Sequence, residues 1–291
     1  MIGSLPGSLQ SELAKELGVQ EISASSVSGG SINQSLKLET SSGRFFLKWN
    51  NSVPDDFFEK EAAGLQLLRE ADSGITIPEV ISFSNPTKEC PGFLLMEFID
   101  GTNGSTGDSH RFGQELARLH NNHSDSYGLS YSNYIGSLPQ QNNFHDDWIS
   151  FFINERIDPQ MKLAADHQKI GSDTMQKWEN LAARLHDLLP EWQPSLIHGD
   201  LWSGNYMFSR DGDAVLIDPA VYYGHPEMDL AFSKMFGGFS SAFYEGYQSV
   251  NKLEGNFSER VDIYNLYPLL VHVNLFGGHY IRSLDRILKN Y

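Results

Sequence analysis

The stretch from Ser195 to Ala220 reads SLIHGDLWSGNYMFSRDGDAVLIDPA, and it decides the fold. Its two short apolar runs, YMF and AVLI, flank an Asp-Gly pair at 211–212 that favours a tight reversal. We expect these runs to pair as an antiparallel hairpin. Asn205 enters the first strand and Asp218 leaves the second, so the hairpin should return both side chains to the same open end.

The spacing around this hairpin predicts a chemistry. One carboxylate, Asp218, and one amide, Asn205, suit a hard cation such as Mg2+, which takes few protein oxygens and leaves its other positions to phosphate and water. Asp200 lies five residues before Asn205, in an H-x-D-x-x-x-x-N pattern, where a carboxylate accepts the proton of an attacking hydroxyl. The pattern predicts a phosphotransferase site that favours a hydroxyl acceptor over water. The alternative is that Asp200 and Asn205 only cap a turn and Asp218 only ends a strand.

Composition narrows the class of protein. The chain has 291 residues, 40% of them hydrophobic, and no apolar run long enough to cross a bilayer. We therefore expect a soluble protein of one large domain or two lobes, without membrane attachment. The start of the chain lacks a signal-peptide pattern, and the one cysteine, Cys90, has no intramolecular partner, which favours a cytoplasmic location. The formal net charge of -16 disfavours nucleic acid as a partner. It either suits a cationic substrate or serves solubility alone.

Two signals nearer the N-terminus suit phosphate binding. Gly29 and Gly30 lie between β-prone flanks, where a backbone without side chains can approach phosphates closely or simply turn. Lys48 lies inside the otherwise apolar strand predicted at 44–49. A lysine in such a place needs an anionic partner or a phosphate.

Helical periodicity supplies that partner. The segment 55–70 reads as a helix after Pro54, with apolar residues on one face. Glu61 falls within the apolar stripe, where a carboxylate is costly unless it is paired. We therefore predict a Lys48–Glu61 ion pair that orients the lysine onto nucleotide phosphates. Glu59 is the rival partner, and a solvated helix edge is the remaining alternative.

The apolar stretch at 93–101 predicts a buried strand that runs into the polar, glycine-rich segment 100–109, a junction between lobes. In a kinase-like fold, the end of this strand at Glu97, Phe98 and Ile99 would offer backbone groups to adenine. From the residues alone, it is a strand followed by a loop.

Further motifs cover nearly the whole chain. They are GGSINQ (29–34), LARLH (116–120), YGLSYSNYIGSLPQ (127–140), WISFFINERI (148–157), HGDLWSGN (198–205), GHPEMDLA (224–231) and LLVHVNLFGGHY (269–280). On these motifs the chain resembles the fructosamine kinases, or ketosamine 3-kinases. That family belongs with the aminoglycoside phosphotransferase-like and choline-kinase-like enzymes, which share the protein-kinase fold.

The resemblance implies roles for residues already singled out. Asp200 matches the catalytic base, and Asn205 and Asp218 match the ligands of the magnesium–nucleotide complex. Lys48 matches the phosphate-contacting lysine with Glu61 as its partner, and residues 97–99 match the adenine-binding hinge.

Three further residues are candidates for the acceptor pocket. Trp202 lies between Asp200 and Asn205, and its aromatic face suits stacking on a sugar ring, with ordinary packing as the alternative. His272 and Asn274 lie near the C-terminal Gly277-Gly278 pair. They either line the acceptor pocket or are buried polar side chains whose hydrogen bonds are satisfied within the core.

The sequence as a whole predicts an α+β, two-lobed protein-kinase-like fold. Residues 1–98 would form a nucleotide-binding lobe around a small antiparallel sheet, and residues 99–291 a mainly helical lobe that carries the catalytic and acceptor sites. The resemblance implies MgATP-dependent phosphorylation of the 3-hydroxyl of a ketosamine, a small-molecule or protein-attached adduct of fructose or ribulose, in deglycation repair. The alternatives are a kinase for an aminoglycoside or another amino-alcohol, and a nucleotide-binding module without catalysis. The sequence leaves the oligomeric state open.

Two departures bear on regulation. Asp218 is followed by Pro219-Ala220 rather than Phe-Gly, and no activation segment with an Ala-Pro-Glu mark follows, which disfavours a protein kinase regulated by loop phosphorylation. Ser31 stands where the family often carries a cysteine, which argues against a disulfide switch through that loop.

Overall fold

The computed structural model describes residues 5–27, 32–253 and 255–291. The predicted phosphate-loop glycines, Gly29 and Gly30, and the neighbouring Ser31 lie outside the described residues. No helix in the described ranges is long and apolar enough to cross a membrane.

The N-terminal part is a five-stranded sheet with the strand order β1-β2-β3-β5-β4, in which all neighbours pair antiparallel. Its strands are β1 (Ser23–Ser26), β2 (Gln34–Thr40), β3 (Gly43–Asn50), β4 (Val80–Ser84) and β5 (Gly92–Glu97). Two helices accompany it, α1 (Gly7–Leu17) and α2 (Phe57–Glu70). This arrangement confirms the predicted small antiparallel sheet.

A core lies on each face of this sheet. Successive residues of a strand point to opposite faces, and β5 shows the consequence. Phe93 and Leu95 join a cluster with Leu9 and Leu13 of α1, whereas Leu94 and Met96 join the main core with α2. Because β5 is covered on both faces, it reads as a continuous apolar run.

Helix α2 begins two residues later than the sequence predicted. Asp55 and Asp56 form a turn in which the Phe57 N–H donates to the Pro54 carbonyl, 3.1 Å away. The first N–H groups of a helix have no partner inside the helix, so the Phe57 N–H is free to close this turn. The apolar face is as predicted, with Phe58 and Leu65 buried.

The remainder of the chain is mainly helical. It contains α3 (Thr106–His120), β6 (Asn133–Ile135), β7 (Leu138–Gln140), α4 (Trp148–Phe151), a π-helical segment (Phe152–Ile157), α5 (Asp158–Asp166), α6 (Ser172–Ala182), α7 (Leu185–Leu188), β8 (Ser195–Ile197), β9 (Tyr206–Phe208), β10 (Ala214–Leu216), β11 (Tyr222–Gly224), α8 (Glu227–Met235), α9 (Ser241–Val250), α10 (Phe257–Tyr264), α11 (Leu266–Phe276) and α12 (His279–Leu288). One large core runs from α2 through these helices. The division into lobes at residue 98 remains a prediction.

Two backbone contacts dock the β9–β10 hairpin on the N-terminal part. The Thr76 N–H donates to the Ala214 carbonyl at 2.8 Å, and the Thr102 N–H donates to the Phe208 carbonyl at 2.7 Å. Thr76 lies before β4 and Thr102 lies after β5, so segments on both flanks of these two strands bind the hairpin. These contacts place the open end of the hairpin beside β3 and α2.

Candidate active site

The hairpin forms as the sequence predicts. Strands β9 and β10 pair antiparallel, and the connecting loop is closed by a hydrogen bond from the Gly212 N–H to the Ser209 carbonyl, 3.1 Å. At the other end, the Ile217 N–H donates to the Asn205 carbonyl at 3.0 Å. This bond extends the pairing by one step and places Asn205 across from the residue before Asp218.

Asn205 is locked to Asp200 within the preceding turn. Its amide nitrogen donates to both the backbone carbonyl and the carboxylate Oδ2 of Asp200, each at 2.8 Å. Because the nitrogen is used in this way, the amide oxygen is the end available to a cation. The other carboxylate oxygen of Asp200, Oδ1, lies outside this contact.

Lys48 lies between two carboxylates that come from distant parts of the chain. Its ammonium group donates to Glu61 Oε1 at 2.5 Å and to Asp218 Oδ1, while the side chain is only 5% exposed. The predicted pairing with Glu61 on α2 is therefore what the structure shows, and Glu59 is exposed instead. Burial alone would lower the pKa of Lys48, but the carboxylates of Asp218 and Glu61 outweigh it and raise that pKa, so the lysine stays charged.

The backbone at Asp218 is unusual. Asp218 has φ 56°, the left-handed region that aspartate tolerates better than most residues. Gly199, next to Asp200, has φ 81°, and a Cβ there would lie 2.1 Å from the Ala220 carbonyl oxygen. Only glycine permits this approach, which brings the Asp200 turn and the Asp218 segment into direct contact.

Asp229, in the first turn of α8, holds the turn that carries Asp200. Its two oxygens accept hydrogen bonds from the backbone N–H groups of His198 (2.7 Å) and Gly199 (2.9 Å), and His120 Nε2 lies 3.2 Å away. Asp229 is 1% exposed. It therefore positions the turn from behind and does not face the open side of the site.

His198 is also part of this support. Its Nε2 donates to the Ile217 carbonyl at 2.9 Å, and its Nδ1 accepts from the Asp200 N–H at 3.3 Å. Burial lowers its pKa, so the ring is neutral and both nitrogens are engaged. His198 therefore joins the Asp200 turn to the Asp218 segment as a structural residue.

The Asp200 carboxyl has the electrostatics of a base matched to neutral pH. Burial is the largest influence and raises its pKa to about 7; the Asn205 hydrogen bond opposes that change, and the charges of Asp218 and Asp229 reinforce it. A base works best when its pKa lies near the working pH. The same influences show that Asp200 lies within electrostatic reach of both Asp218 and Lys48.

The predicted acceptor residues separate into two groups. Trp202 is 36% exposed and lies edge-on to Phe236 at a ring separation of 5.9 Å, and Phe236 in turn lies 5.2 Å from His272. The structure therefore joins Trp202 and His272 in one aromatic row through Phe236, at the end of α8. The sequence analysis missed Phe236 because nothing in its local pattern marks an exposed ring.

Asn274 lies elsewhere. Its amide nitrogen donates to the backbone and side-chain oxygens of Gln160, at 2.9 and 2.8 Å, and the residue is 8% exposed. Asn274 is therefore a core amide whose nitrogen joins α11 to α5, while its Oδ1 has no hydrogen-bond partner among the described residues. This placement does not bring Asn274 to the aromatic row.

The predicted adenine hinge follows the end of β5. The Glu97 N–H donates to the Glu79 carbonyl at 2.8 Å and its side chain is exposed. Phe98 carries Lys37 and Arg44 near its ring, at 5.0 and 5.5 Å from the centroid. Ile99 is partly exposed. These three residues thus border the passage from the sheet to the helical part, and their contact with adenine remains a prediction.

The donor set fits a divalent cation that shares its coordination with a nucleotide. Among the residues that the structure describes, no cluster of three or more His, Cys, Asp or Glu side chains forms a metal site by itself. Asp218 is 36% exposed at its side chain and has one oxygen outside the lysine contact, and Asn205 has a free amide oxygen. One carboxylate and one amide suit Mg2+, which takes its other ligands from phosphate and water.

The fold and the site define the class of protein, and comparisons with known proteins agree. The fructosamine kinase family model matches residues 7–291. The chain belongs to the fructosamine kinase family and is a phosphotransferase of the kinase type.

Two sequence relatives cover nearly all of the chain. A protein named as a probable ketoamine kinase from Enterococcus faecium is 36% identical over 267 residues, which are 91% of this chain and 94% of that protein. A chloroplastic protein-ribulosamine 3-kinase from Arabidopsis thaliana is 38% identical over 275 residues, which are 91% of this chain and 81% of that protein.

Solved structures place the fold. A protein from Thermobifida fusca assigned as a fructosamine-3-kinase matches with a TM-score of 0.85 and 30% identity, over 98% of this chain and all of that one (100%). An aminoglycoside phosphotransferase in complex with ADP and hygromycin B matches with a TM-score of 0.66 and 13% identity, over 97% of this chain and 98% of that one. The second match concerns the fold alone, and it confirms the predicted kinase-like α+β architecture.

Proposed function

We propose that this protein transfers the γ-phosphate of ATP to a sugar hydroxyl of a ketosamine, the rearranged adduct of a sugar and an amine. The observation that carries the proposal is the convergence of Lys48, Asp200 and Asp218 from three separate segments at the open end of the β9–β10 hairpin. Family membership supplies the acceptor class, because the relatives are named as ketoamine and ribulosamine kinases.

The nucleotide would lie between the sheet (residues up to 98) and the helical part (99–291), with adenine at residues 97–99. Lys48 is charged and held in place by Glu61, so it has a fixed direction in which to meet phosphate oxygens. When a nucleotide enters, Lys48 can exchange its Asp218 contact for a phosphate contact while the Glu61 contact keeps it oriented. This arrangement favours positioning and charge neutralisation, which phosphoryl transfer mainly requires.

Asp218 and Asn205 would hold Mg2+ together with phosphate oxygens. The bound ion would neutralise the charge that develops on the transferring phosphoryl group. The protein would contribute one oxygen from Asp218 and the amide oxygen of Asn205, which the Asn205 bond to Asp200 orients.

Asp200 would act on the acceptor. Its carboxylate takes the proton of the attacking hydroxyl as the oxygen forms a bond to the γ-phosphorus, and the bond to the β,γ-bridging oxygen breaks to release ADP. We propose the 3-hydroxyl as the acceptor, because a phosphate ester at this position is a better leaving group than the hydroxyl. After the phosphate is eliminated, hydrolysis separates the remaining sugar from the amine, which is thereby regenerated. The acceptor itself would rest on the row of Trp202, Phe236 and His272, whose ring faces suit a sugar and an attached ammonium.

The pKa of Asp200 predicts how the rate of phosphoryl transfer depends on pH. Only the ionised carboxylate accepts a proton, so kcat/KM for MgATP should fall as the pH falls through about 7, with one protonation controlling the acid limb. Steady-state rates between about pH 6 and pH 8 measure this limb, with MgATP binding at each pH as the control. A rate that stays flat while binding also stays flat would remove Asp200 from the proton transfer.

A panel of acceptors tests the proposed substrate class. We expect ATP-dependent ADP release with fructosyl-lysine and ribulosyl-lysine, and none above background with unmodified lysine. Ranking the two sugars gives the preference between them. Turnover on an aminoglycoside alone would keep the mechanism and overturn the acceptor, and MgATP binding without turnover on any acceptor would indicate a non-catalytic module.

A further inference from the structure

A guanidinium lies completely buried behind the candidate site. Arg156 is 0% exposed, although arginine is rarely found fully inside a protein. It belongs to the π-helical segment Phe152–Ile157, which interrupts a helix otherwise continuous from Trp148 to Asp166. A π-turn places an extra residue in the helix and is often found at functional sites. Here the π-helical segment contains Arg156, whose charged side chain points into the protein.

The contacts of Arg156 are specific. Its Nη1 donates to the Gln141 carbonyl and its Nη2 donates to Asn142 Oδ1, each at 2.6 Å. The guanidinium also lies over the rings of Tyr222 and Phe151, at 3.8 and 4.5 Å from their centroids. These partners are neutral. A buried charge held by neutral groups costs stability relative to an apolar side chain, so a function that needs its donors would explain why the cation is present.

From Asn142, a relay of side-chain amides leads to the backbone after Asp218. Asn142 donates to Asn133 Oδ1 at 2.9 Å, and Asn133 donates to the Val221 carbonyl at 2.9 Å. Gln140 donates to the same Asn133 oxygen at 2.8 Å and to the Ala220 carbonyl at 3.0 Å. The relay therefore ends on the two carbonyls that come second and third after Asp218.

Arg156 and two backbone carbonyls together set the direction of Asn142 and Asn133, because the Tyr131 and Val221 carbonyls accept from the nitrogens of these amides at 3.0 and 2.9 Å. A side-chain amide can donate from one end and accept at the other, but a guanidinium only donates. Asn142 must therefore turn its oxygen to Arg156 and its nitrogen to Asn133. Asn133 accepts from Asn142 and presents its own nitrogen to the Val221 carbonyl, so the bonds of the relay all run in one direction.

We propose that Arg156 is a positioning residue for phosphoryl transfer: its donor-only guanidinium holds Asn142 and, through it, Asn133, which together with Gln140 holds the segment after Asp218. The inference rests on the proposed role of Asp218 as a ligand of the magnesium–nucleotide complex. Asp218 has a left-handed backbone, and the Gly199 carbon lies against Ala220, so a small shift of this segment moves Asp218 and the Asp200 turn together.

The first test compares Arg156→Gln with Arg156→Lys. Glutamine is neutral and can turn its oxygen to Asn142, whereas lysine only donates and keeps the positive charge. We expect Arg156→Gln to weaken MgATP binding by about tenfold or more, the scale seen when a residue that orients a metal ligand is lost. Arg156→Lys should recover most of that loss. Equal losses in the two variants, or none in Arg156→Gln, would overturn the proposal.

A readout without nucleotide or acceptor separates positioning from general destabilisation. Amide hydrogen exchange at Ile217 and Ala220, whose N–H groups bond to Asn205 and His198, reports directly on the segment. It should quicken in Arg156→Gln. Trp178→Phe is the matched control, because it also removes one hydrogen bond of the same helical region, from the indole to Asp158 at 2.6 Å, while the relay bonds of Arg156 and Asn142 are kept. It should lower stability without quickening exchange at these two positions.

Asn142→Asp keeps the proposal testable if Arg156→Gln does not fold. Aspartate still accepts from Arg156, now as an ion pair, but it cannot donate to Asn133. We expect near-normal thermal stability together with about a tenfold weaker affinity for MgATP and faster exchange at Ala220. A variant with normal exchange and normal MgATP affinity would show that Arg156 only packs. Because exchange is measured on the free protein, this outcome does not depend on whether ketosamines are the acceptors.

Discussion

Asp200→Asn should lower kcat by about a thousandfold while MgATP binds within about twofold of the original affinity, because the change removes only the proton acceptor. The two side chains have the same shape. Asparagine can still turn its oxygen toward the Asn205 amide, so the 2.8 Å bond that orders the turn is kept. Turnover with fructosyl-lysine and isothermal titration with MgATP measure the two quantities.

Asp211→Asn is the matched control for this prediction. It makes the same chemical change at an exposed aspartate in the loop of the same hairpin, where nothing contacts the site. Its kcat should equal that of the original protein. An Asp200→Asn variant that keeps a substantial part of its turnover would mean that another group, or solvent, accepts the proton.

Asp218→Ala should weaken MgATP binding by about a hundredfold, because it removes one of two protein oxygens proposed for the metal and one of two carboxylates that hold Lys48. Glu61 still pairs with Lys48, so the lysine stays oriented and the fold should persist. Titration with MgATP and thermal unfolding measure the two effects separately.

The specificity of this effect is tested without metal. ADP in the presence of a chelator should bind Asp218→Ala as well as it binds the original protein, or better, since a negative charge near the phosphates is gone. Equal weakening with and without Mg2+ would assign Asp218 to the orientation of Lys48 and remove it from the metal site. Asp211→Ala supplies the control for a lost surface carboxylate.

Local spacing predicted the elements that carry the chemistry. A strand period of two and an Asp-Gly reversal suffice to bring Asn205 opposite the residue before Asp218. Helical periodicity suffices to place Glu61 on the inner face of α2, and the cost of an unpaired buried charge then selects Lys48 as its partner. Both inferences depend on a few neighbouring residues, and the second also depends on the free-energy cost of burying an unpaired charge.

Contacts between distant segments were not predictable in the same way. The aromatic row needs Phe236, whose exposed ring at the end of α8 meets His272 of α11, a residue far along the chain. Asn274 is close to His272 in sequence, yet two residues along a helix turn a side chain to another face. It therefore meets Gln160 in the core instead.

Arg156 shows the limit most clearly. Regular helical periodicity does not anticipate a π-turn, which shifts the facing of every later residue in the segment. The partners of Arg156 also come from the segment after β7 and from the chain after Asp218, and the hydrogen bonds of the relay join residues 7 to 88 positions apart. A network of this kind is visible only when the side chains are placed together.

The most direct test of the central claim is where the γ-phosphate goes. We would incubate the protein with Mg2+, ATP and fructosyl-lysine and follow the products by phosphorus and proton NMR, with unmodified lysine in a parallel sample. The account predicts one equivalent of ADP for each new phosphate ester on the sugar, at the 3-position, and no product with lysine. ADP accompanied only by inorganic phosphate, or a phosphate ester that forms with lysine as readily as with the ketosamine, would contradict it.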